Sequence, residues 1–534
     1  MAIAAAALVG CGSGDDDDDD VQPTAQVQTP APAPTTAAPP RSGGLFTTSA
    51  QNATSDHLDV QQSSHPGILN WSQYANDGLM ILDEPVPGDL TIKPQLIESW
   101  EQPDSTTLLL KVRKGVKFAN IPPANGRALT SKDIVFSLQR MATDSPKYPR
   151  RTWFTPVDSI TAPDDYTVKI VTKRPYAAFL QLLAHPWTVV IDSETVKQDG
   201  DQIKHLVGTG PYIAKRVEIN VEADFDKNPD YWDTGKPYLD SWKFLSIPDN
   251  AAQLAAFRSG QLDLCAPNPD VREKFKSENP GAREVIAPSV GNALVAFNIR
   301  KKPFDDPRVR QAIANAVDIP AWLEALFNGD GQRTAPMPTY YTPWALPKDA
   351  LKFNKPDLKT AKELLNAAGY GDGFKMGSVT LGSVLYQGSA IQMQADLRSL
   401  NIEVDIQVQP TSIDYTNKVF VNHEFEAVNG QDFAPDDPDQ LGDKFRSDST
   451  QNWSGYSNPK VDELFTKQSQ TLDHTERRAI VDDIQKTLID DVASLWTFIV
   501  YQHTFYKSTT GNMRRSPMNG NQDRWEARNL FFSA

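Results

Sequence analysis

The sequence predicts a mixed α/β fold, because patterns typical of strands and of amphipathic helices alternate along it. Around residues 108–112 the apolar side chains recur with a period of two, and across 309–317 they recur with helical spacing. The third observation is the length of 534 residues. At roughly 100–200 residues per domain it corresponds to about three to five domains, enough to bury a core without metals or disulfides.

Two segments illustrate the predicted strands. Leu108, Leu110 and Val112 alternate with their neighbours and are followed by a Lys-Gly pair typical of a turn. A second alternation includes Val168 and Ile170. Both segments are therefore predicted to be half-buried strands.

Helix starts are also visible in the sequence. Thr130 and Asp133 have the spacing of a capping box, with Asp in place of the usual Glu or Gln. Asp306 precedes Pro307 as an N-cap precedes a first helical turn. A later helix is predicted from apolar side chains that share one face, namely Ile480, Val481, Ile484 and Leu488.

The charge and hydropathy of the chain exclude some functions. There are 53 Lys and Arg residues against 68 Asp and Glu residues, a net charge of −15, and the pI is about 5.0. This balance argues against nucleic acid as a partner, since phosphate binding requires a basic face. The mean hydropathy is −0.46, and no run approaches the roughly 20 apolar residues of a membrane span, which excludes a multispan transporter.

The chain has 2 cysteines. Cys265 stands alone in an apolar segment and is predicted to be a buried thiol. With no paired cysteines and no CxxC motif, the sequence excludes a disulfide scaffold, a zinc ribbon and an iron–sulfur protein.

The other cysteine, Cys11, follows small apolar residues and stands in the segment Leu-Val-Gly-Cys-Gly at 8–12. This segment resembles the lipobox at the end of a bacterial lipoprotein signal, although the basic start of such signals is missing. The resemblance implies cleavage before Cys11 and acylation of that residue. We therefore expect residues 1–11 to be a truncated lipoprotein signal and Cys11 to be a lipid attachment site.

Residues 12–43 are predicted to form a disordered tether. Asp occupies every position from 15 to 20, and Pro is frequent from 21 to 40. Such segments cannot bury apolar surface and remain extended. Consecutive acids also lack the spacing and the Gly turn of a calcium loop, so a spacer is favoured over a calcium site.

No catalytic motif is evident. The sequence contains no HExxH and no nucleophile elbow, and the Gly-Thr-Gly-Pro segment at 208–211 lacks the third glycine of a dinucleotide site and the lysine of a phosphate loop. No two of the seven histidines have the i, i+4 spacing of a helical zinc pair. They are His57, His65, His185, His205, His423, His474 and His503. We therefore expect no enzyme, no metal site and no cofactor, although paired carboxylates for hydrolysis stay open.

Seven short blocks stand in order along the chain. They are PQLIESW at 94–100, LKVRKGVKF at 110–118, LTSKDIVFSL at 129–138, GTGPY at 208–212, NPDYW at 228–232, FDDPRVRQAI at 304–313 and YSNPKVDEL at 456–464. Each block alone is weak, and Gly-Thr-Gly-Pro-Tyr by itself indicates only a turn with an aromatic ring packed beneath it. Together, in this order, they resemble the extracytoplasmic solute-binding proteins of ABC importers, in the dipeptide/oligopeptide/nickel-binding family, and the similarity extends from about Gly43 to the C-terminus.

The resemblance implies an α/β, two-lobed periplasmic-binding-protein clamshell with an extra subdomain inserted in the first lobe. By the family layout, lobe I comprises 44–70, 196–290 and 503–534, the inserted subdomain 71–195, and lobe II 291–502. The implied function is capture of a small-molecule or peptide ligand between the lobes and delivery by closure to ABC permease and ATPase subunits. We expect a monomer in the periplasm or on the outer face of the cytoplasmic membrane, lipid-anchored.

In peptide-binding members, an aromatic residue and an Asp near a late Asp-Pro turn hold the α-ammonium group of the ligand. The matching stretch here is 429–439, which lacks the usual Trp and has Ala434 three positions before Asp437. A one-residue slip makes Asp432 the anchor and Phe433 its aromatic neighbour. The alternative is a solvent-facing acidic loop, so a peptide is favoured while other small polar solutes stay open.

Other candidate cleft residues are aromatic or polar side chains near the expected crossings, namely Trp71, Tyr74, Tyr386, Gln387 and Trp453. An average aromatic residue is core packing, which is the alternative for each of them. Two other classes of function stay open, an anchored hydrolase that uses two cleft carboxylates and a surface adhesin or signalling partner.

Overall fold

The structure is a computed structural model that describes residues 40–49, 57–63, 66–83, 90–289, 291–433, 435–516 and 521–533. Cys11 and most of the predicted tether lie outside these residues, so the predicted signal and lipid attachment stay predictions. The prediction of disorder through residue 43 is wrong at its end, because the backbone of Pro40 and Arg41 pairs antiparallel with Ser533 and Phe532.

The strands of the described residues are numbered β1 to β22 in chain order. They are Pro40–Arg41, Leu45–Ser49, Met80–Asp83, Thr91–Pro94, Ile97–Asp104, Thr107–Val112, Val157–Asp164, Thr167–Thr172, Tyr212–Glu218, Glu222–Lys227, Ser241–Leu245, Leu264–Cys265, Arg283–Pro288, Gly291–Phe297, Gly331–Arg333, Lys375–Leu381, Glu403–Gln409, Ala427–Phe433, Leu495–Trp496, Phe498–Tyr506, Thr510–Gly511 and Phe531–Ser533.

The α-helices of the described residues are numbered α1 to α15 in the same way. They are Leu69–Ala75, Ser131–Met141, Phe179–Ala184, Ser193–Asp199, Asn250–Arg258, Pro269–Glu278, Pro307–Ala316, Ile319–Phe327, Leu358–Ala368, Tyr386–Leu397, Ser412–Thr416, Asp439–Phe445, Pro459–Gln470, His474–Asp490 and Asn521–Asn529.

The described strands form six sheets, two of which are small: β1-β22-β21 and β3-β4. Of the larger four, the first sheet has the order β2-β11-β10-β9, the subdomain sheet β5-β6-β8-β7, and the second sheet β17-β16-β18-β14-β19. The crossing sheet, β12-β20-β13, also includes β15, which pairs with β20. It lies next to the first sheet where β12 contacts β2 and next to the second sheet where β20 contacts β14. Helices are interspersed with these sheets along the chain, which confirms the predicted mixed α/β class.

The local predictions from sequence are confirmed. The two predicted strands are β6 and β8, which pair antiparallel in the subdomain sheet. Helix α2 begins with a complete capping box. The Thr130 side chain interacts with the Asp133 backbone, and the Asp133 side chain interacts with the Thr130 backbone. The Asp306 carboxylate accepts from the Arg308 backbone N–H at 2.9 Å and caps α7. Cys265 is buried at the end of β12, and burial raises the pKa of its thiol to about 12.

The Gly-Thr-Gly-Pro-Tyr turn leads into β9 and lies against the end of α1. The Gly210 backbone N–H donates to the Ala75 carbonyl at 2.9 Å. A Cβ atom on Gly210 would lie 2.5 Å from the Ala75 carbonyl carbon, so only glycine permits this approach. Tyr212 is buried beneath the turn, 5.9 Å from the Tyr74 ring centre, as predicted.

The Asn-Pro-Asp-Tyr-Trp block and the same turn converge on one buried carboxylate, that of Asp77. Trp232 Nε1 donates to Asp77 Oδ2 at 2.8 Å, and the hydroxyl groups of Tyr231 and Thr209 donate at 3.3 Å. The Arg528 guanidinium of α15 forms an ion pair with Asp77. Two of the family-like blocks are therefore structural, because they supply partners for a charge that is fully buried.

Candidate functional site

A cavity of about 460 Å³ lies between the first sheet, the crossing strand β20 and helix α8. Thr48 and Ser49 at the end of β2 form one rim. Asn268, which precedes α6, and Phe327 at the end of α8 form the other side. The cavity therefore has walls from the first sheet and from a helix that packs with the second sheet.

An aromatic wall lines the cavity on the side of the first sheet. Tyr74 from α1 packs edge-on against Trp242 and Phe244 of β11, with ring centres 4.9 and 5.1 Å apart. Burial raises the pKa of the Tyr74 phenol well above its usual range, so the ring stays neutral. An apolar wall with a few convergent polar groups is the usual composition of a small-molecule site.

A chain of ionic contacts crosses the far end of the cavity. His503 of β20 contacts the Glu284 carboxylate through Nδ1 at 2.7 Å and the Asp330 carboxylate through Nε2 at 2.9 Å. Arg272 of α6 pairs with Asp330 at 2.6 Å. Burial alone would raise the pKa of Asp330, but the hydrogen bond to His503 and the charges of His503 and Arg272 hold it below its usual value. These contacts connect α6 to the loop that follows α8.

Acidic groups from α15 also line the cavity. Asp523 and Glu526 lie three residues apart on this helix, and both line the cavity together with Arg515. The Tyr506 hydroxyl donates to Glu526 Oε1 at 2.6 Å. Burial first, and the Glu526 charge second, raise the pKa of Asp523 to about 7, while Arg515 acts against this shift.

A second set of contacts joins the end of the subdomain to the segment after β18. Gln181 of α3 donates to the Tyr341 hydroxyl at 2.9 Å and to the Asp436 carbonyl. The Ala177 backbone N–H donates to the Ser469 carbonyl at 2.8 Å. These bonds join the region of α3 to the segment after β18 and to the end of α13.

His185 also belongs to this contact. Its Nε2 lies 3.4 Å from Asp436 Oδ2. Burial, with the charges of Arg150 and Arg524, lowers the pKa of His185 to about 3, so the ring is neutral at physiological pH. Burial and the charge of Asp437 raise the pKa of Asp436 to about 7. The contact therefore joins a neutral imidazole to a carboxyl group that titrates near neutrality.

Two of the predicted cleft residues lie on α1. Tyr74 lines the cavity, and it is 1% exposed. Trp71 is equally buried, in the same apolar core, and does not line the cavity.

Three further candidates whose side chains the structure describes lie in the region of the second sheet. Tyr386 and Gln387 are the first two residues of α10 and are half-buried. Trp453 is half-buried and packs against Phe420 and Phe425, with ring centres 5.1 and 5.6 Å away. None of the three lines the cavity described above.

The predicted anchor pair lies at the end of β18. The Asp432 backbone pairs opposite Asn292 of β14, and Phe433 pairs opposite Gly291. The side chains of Asp432 and Phe433 lie outside the described part of the chain, so their role as ligand anchor stays a prediction.

Sequence reasoning missed the charged groups of the cavity, which are Arg272, His503, Arg515, Asp523 and Glu526. The spacing of Asp523 and Glu526 was a usable signal, because it places two acids on one face of a helix. Nothing local in the sequence indicates that Arg272 of α6 and His503 of β20 meet at Asp330, because the two elements are far apart in the chain.

Across the described ranges, no group of three or more His, Cys, Asp or Glu residues is arranged to hold a metal ion. None of the helices in this part of the chain combines the length and the apolar character that a membrane span requires.

The sequence of the chain is similar to those of known proteins. The family model for bacterial extracellular solute-binding proteins, family 5 (middle region) matches residues 91–453. The glutathione-binding protein GsiB of Pectobacterium atrosepticum is 30% identical over 490 residues, which cover 86% of this chain and 87% of that protein.

Solved structures share the fold of this chain over most of its length. The periplasmic binding protein DppA from Helicobacter pylori, in complex with the peptide STSA, superposes with a TM-score of 0.78 at 25% identity, covering 92% of this chain and 99% of that one. The ABC transporter substrate-binding protein CtaP from Listeria monocytogenes superposes with a TM-score of 0.79 at 21% identity, covering 92% and 100%. These matches confirm the predicted two-lobed α/β fold.

Proposed function

The chain belongs to family 5 of the bacterial extracellular solute-binding proteins, and from this premise we propose that it captures a peptide, or a peptide-like solute such as glutathione, and delivers it to an ABC permease by closing its lobes. The family is a solute-binding family of ABC importers that acts outside the cytoplasm, and it is not an enzymatic one. The observation that carries the proposal is the cavity between the first sheet and α8, with its aromatic wall and its opposite charges. The ligands of two relatives, glutathione and the peptide STSA, support this class of solute.

The sheet composition supports the proposed lobes. Strands β2 and β9 to β11 come from 44–70 and 196–290, which we assign with 503–534 to lobe I. Strands β5 to β8 come from the inserted subdomain, 71–195, and β14 and β16 to β19 come from lobe II, 291–502. Strand β20 contains the last boundary, so it is a candidate hinge segment.

Closure is supported by the bonds that Gln181 and Ala177 make to the second half of the chain. A solute that contacts both lobes only when they are together binds the closed state better than the open one. It therefore shifts the population toward the closed state by as much as that difference in affinity allows.

For the second-lobe side of the site, we propose Asp432 as the anchor of the solute ammonium group and Phe433 as its aromatic neighbour. Tyr386, Gln387 and Trp453 are proposed ligand contacts in the same lobe, and Trp71 with Tyr74 in the first. The support is the resemblance to peptide-binding relatives and, for Tyr74, its place in the cavity lining.

We also propose that Cys11 carries a lipid anchor and that 12–43 tethers the body to the outer face of the cytoplasmic membrane. Each buried methylene of an acyl chain contributes about 0.8 kcal/mol, so two or more chains give durable attachment. Cys11→Ser is expected to release the protein to the soluble fraction, and unchanged membrane association of this variant would contradict the anchor.

The function is tested by native mass spectrometry of protein purified from cells grown in rich medium. We expect co-purified masses that correspond to peptides or glutathione-like solutes, bound at one per chain. Turnover of a bound solute into product would indicate a hydrolase instead. The absence of saturable binding to peptide, oligosaccharide and opine pools would contradict an importer receptor.

A further inference from the structure

The acidic end of the cavity contains a carboxylate that lacks a cationic partner. Asp523 is half-buried and lines the cavity. In the described part of the chain, no other residue forms a hydrogen bond or an ion pair with its carboxylate. Its neighbour Glu526 is 3% exposed and accepts the Tyr506 hydroxyl, so it adds negative charge behind Asp523.

Charged and phenolic groups from several elements surround Asp523. Glu526 faces it from the same helix, Arg515 from the segment that precedes the helix, and the neutral phenols of Tyr74 and Tyr506 from α1 and β20. Burial first, and the Glu526 charge second, outweigh the Arg515 charge and raise the pKa of Asp523 to about 7. A cation beside Asp523 would remove the cost of ionising it.

A second lining residue provides an independent observation. Arg272 is 8% exposed and lines the cavity. Its Nη1 pairs with Asp330 at 2.6 Å, and its buried Nε lies 3.9 Å from Glu273 Oε1, beyond hydrogen-bond distance, and has no hydrogen-bond partner among the described residues. A buried donor without an acceptor is costly, and a ligand oxygen would satisfy it.

We propose that Asp523 binds an ammonium group of the transported solute in the first lobe and that Arg272 Nε donates a hydrogen bond to an oxygen of the same solute. This inference rests on the proposed function and names its solute class, a zwitterion with an ammonium group at one end and a carboxylate or carbonyl oxygen at the other. It adds a first-lobe anchor to the second-lobe anchor predicted at Asp432. The ammonium group comes either from an α-amino group or from a lysine-type side chain, and the two sources share the same chemistry.

The test is titration calorimetry of the full chain with four probes. They are glutathione, N-acetylglutathione, the tripeptide Ala-Lys-Ala and its N-acetyl form. The variant is Asp523→Asn, and the matched control is Asp270→Asn, which removes an exposed carboxylate of α6 that does not line the cavity. Thermal unfolding of each variant shows whether the fold is retained.

We expect Asp523→Asn to weaken binding of an ammonium-bearing probe by about tenfold or more, the size of a lost charged hydrogen bond, while Asp270→Asn binds as the wild type. If the α-amino group is the source, acetylation removes the sensitivity to this variant in both ligands. If a side chain is the source, both forms of Ala-Lys-Ala stay sensitive and glutathione does not.

A second readout is proton release. With a pKa of about 7, the Asp523 carboxyl is about half protonated at pH 7, so ligand binding should expel up to about half a proton. Titrations in buffers of different ionisation enthalpy measure this release, which should be lost in Asp523→Asn.

Two outcomes overturn the inference and differ from each other. If the wild type binds the probes and Asp523→Asn binds all of them equally well, or weakens N-acetylglutathione as much as glutathione, the Asp523 site is wrong while the proposed function stands. If the wild type binds none of the four probes and no other peptide, the proposed function fails, and this inference fails with it.

Discussion

Asp77 is the residue on which distant parts of the chain depend most. Its carboxylate is fully buried and receives bonds from Thr209, Tyr231, Trp232 and Arg528, which span more than half of the sequence. Removing one partner of a buried pair leaves the other charge uncompensated, which is costlier than losing an exposed pair.

We therefore expect Asp77→Ala to lower the free energy of unfolding by about 3–5 kcal/mol. The matched control is Asp226→Ala, which removes an exposed pair with Lys215 and should cost about 1 kcal/mol or less. Denaturant unfolding followed by circular dichroism measures both. Equal losses in the two variants would contradict a special role for Asp77.

A second prediction at the scale of single residues concerns Gly210. A methyl group there would meet the Ala75 carbonyl carbon at 2.5 Å, so Gly210→Ala must displace α1 or the turn. We expect a loss of about 1–3 kcal/mol, as in other overpacked sites. Gly281→Ala is the control, because a Cβ atom at Gly281 meets nothing within 4 Å. A similar melting temperature for the two variants would contradict the predicted steric clash at Gly210.

The sequence could predict such residues only in part. The Gly-Thr-Gly-Pro-Tyr turn and the aromatic ring beneath it were predicted, since a glycine-rich turn is a local signal. That the turn supplies Thr209 to Asp77 was not predicted, because the two residues lie far apart in the chain and no local pattern connects them.

At the scale of elements, the contact between α3 and the segment after β18 contains several carboxyl groups whose pKa is raised. Besides Asp437, the acids Asp439 and Asp443 of α12 lie near it, and burial raises the pKa of both, that of Asp443 to about 6. Arg477 of α14 pairs with Asp437, which leaves Asp436 as the carboxyl group that faces the neutral His185 at the end of α3. We therefore expect the stability of this contact to depend on pH.

Asp436 allows a prediction with a definite sign. Its pKa is about 7 in the folded protein and 3.8 in its ordinary state, so the folded protein retains a proton there between these values. The destabilisation from Asp436 therefore grows as pH rises from about 4 to 7 and is constant above 7. We expect Asp436→Asn to be increasingly more stable than the wild type over this range, by at most about 1.4 kcal/mol per pH unit.

The measurement is thermal or denaturant unfolding of both proteins from pH 4 to 8. His185, whose pKa is lowered to about 3, contributes a slope of the opposite sign in both proteins. A difference that is independent of pH would contradict the raised pKa of Asp436.

The elements themselves were largely predictable from sequence. The capping box at Thr130 and the Asp306 cap are local patterns, and the structure begins α2 and α7 there. The pairing of β2 in parallel with β11 was not predictable in this way, because nearly two hundred residues separate the two strands and either could pair elsewhere. Likewise, the charged cavity lining depends on β20 and α15, which approach the first sheet only in the folded chain.

At the scale of the whole molecule, the proposed closure makes Gln181 a contact of the closed state. Gln181→Ala removes the bonds to Tyr341 and to the Asp436 carbonyl, which exist only when the subdomain and the second lobe are together. We expect solute affinity to fall by about threefold to tenfold, because each net hydrogen bond contributes about 0.5–1.5 kcal/mol.

Small-angle X-ray scattering with and without saturating solute provides the direct measurement. The radius of gyration should decrease on binding in the wild type and in Gln198→Ala, a control at an exposed position of α4. In Gln181→Ala a higher solute concentration should be required for the same decrease. A radius of gyration that does not respond to solute in the wild type would contradict closure.

The pairing of β1 with β22 has a mechanical consequence. Pro40 and Arg41 pair opposite Ser533 and Phe532, and the chain then continues into the first sheet through β2. A pulling force applied upstream of residue 40 is therefore borne by β22 and by the first sheet. Tension along the tether therefore enters the folded body through β1, on the side of the first sheet, and not through the contact that Gln181 makes with Asp436.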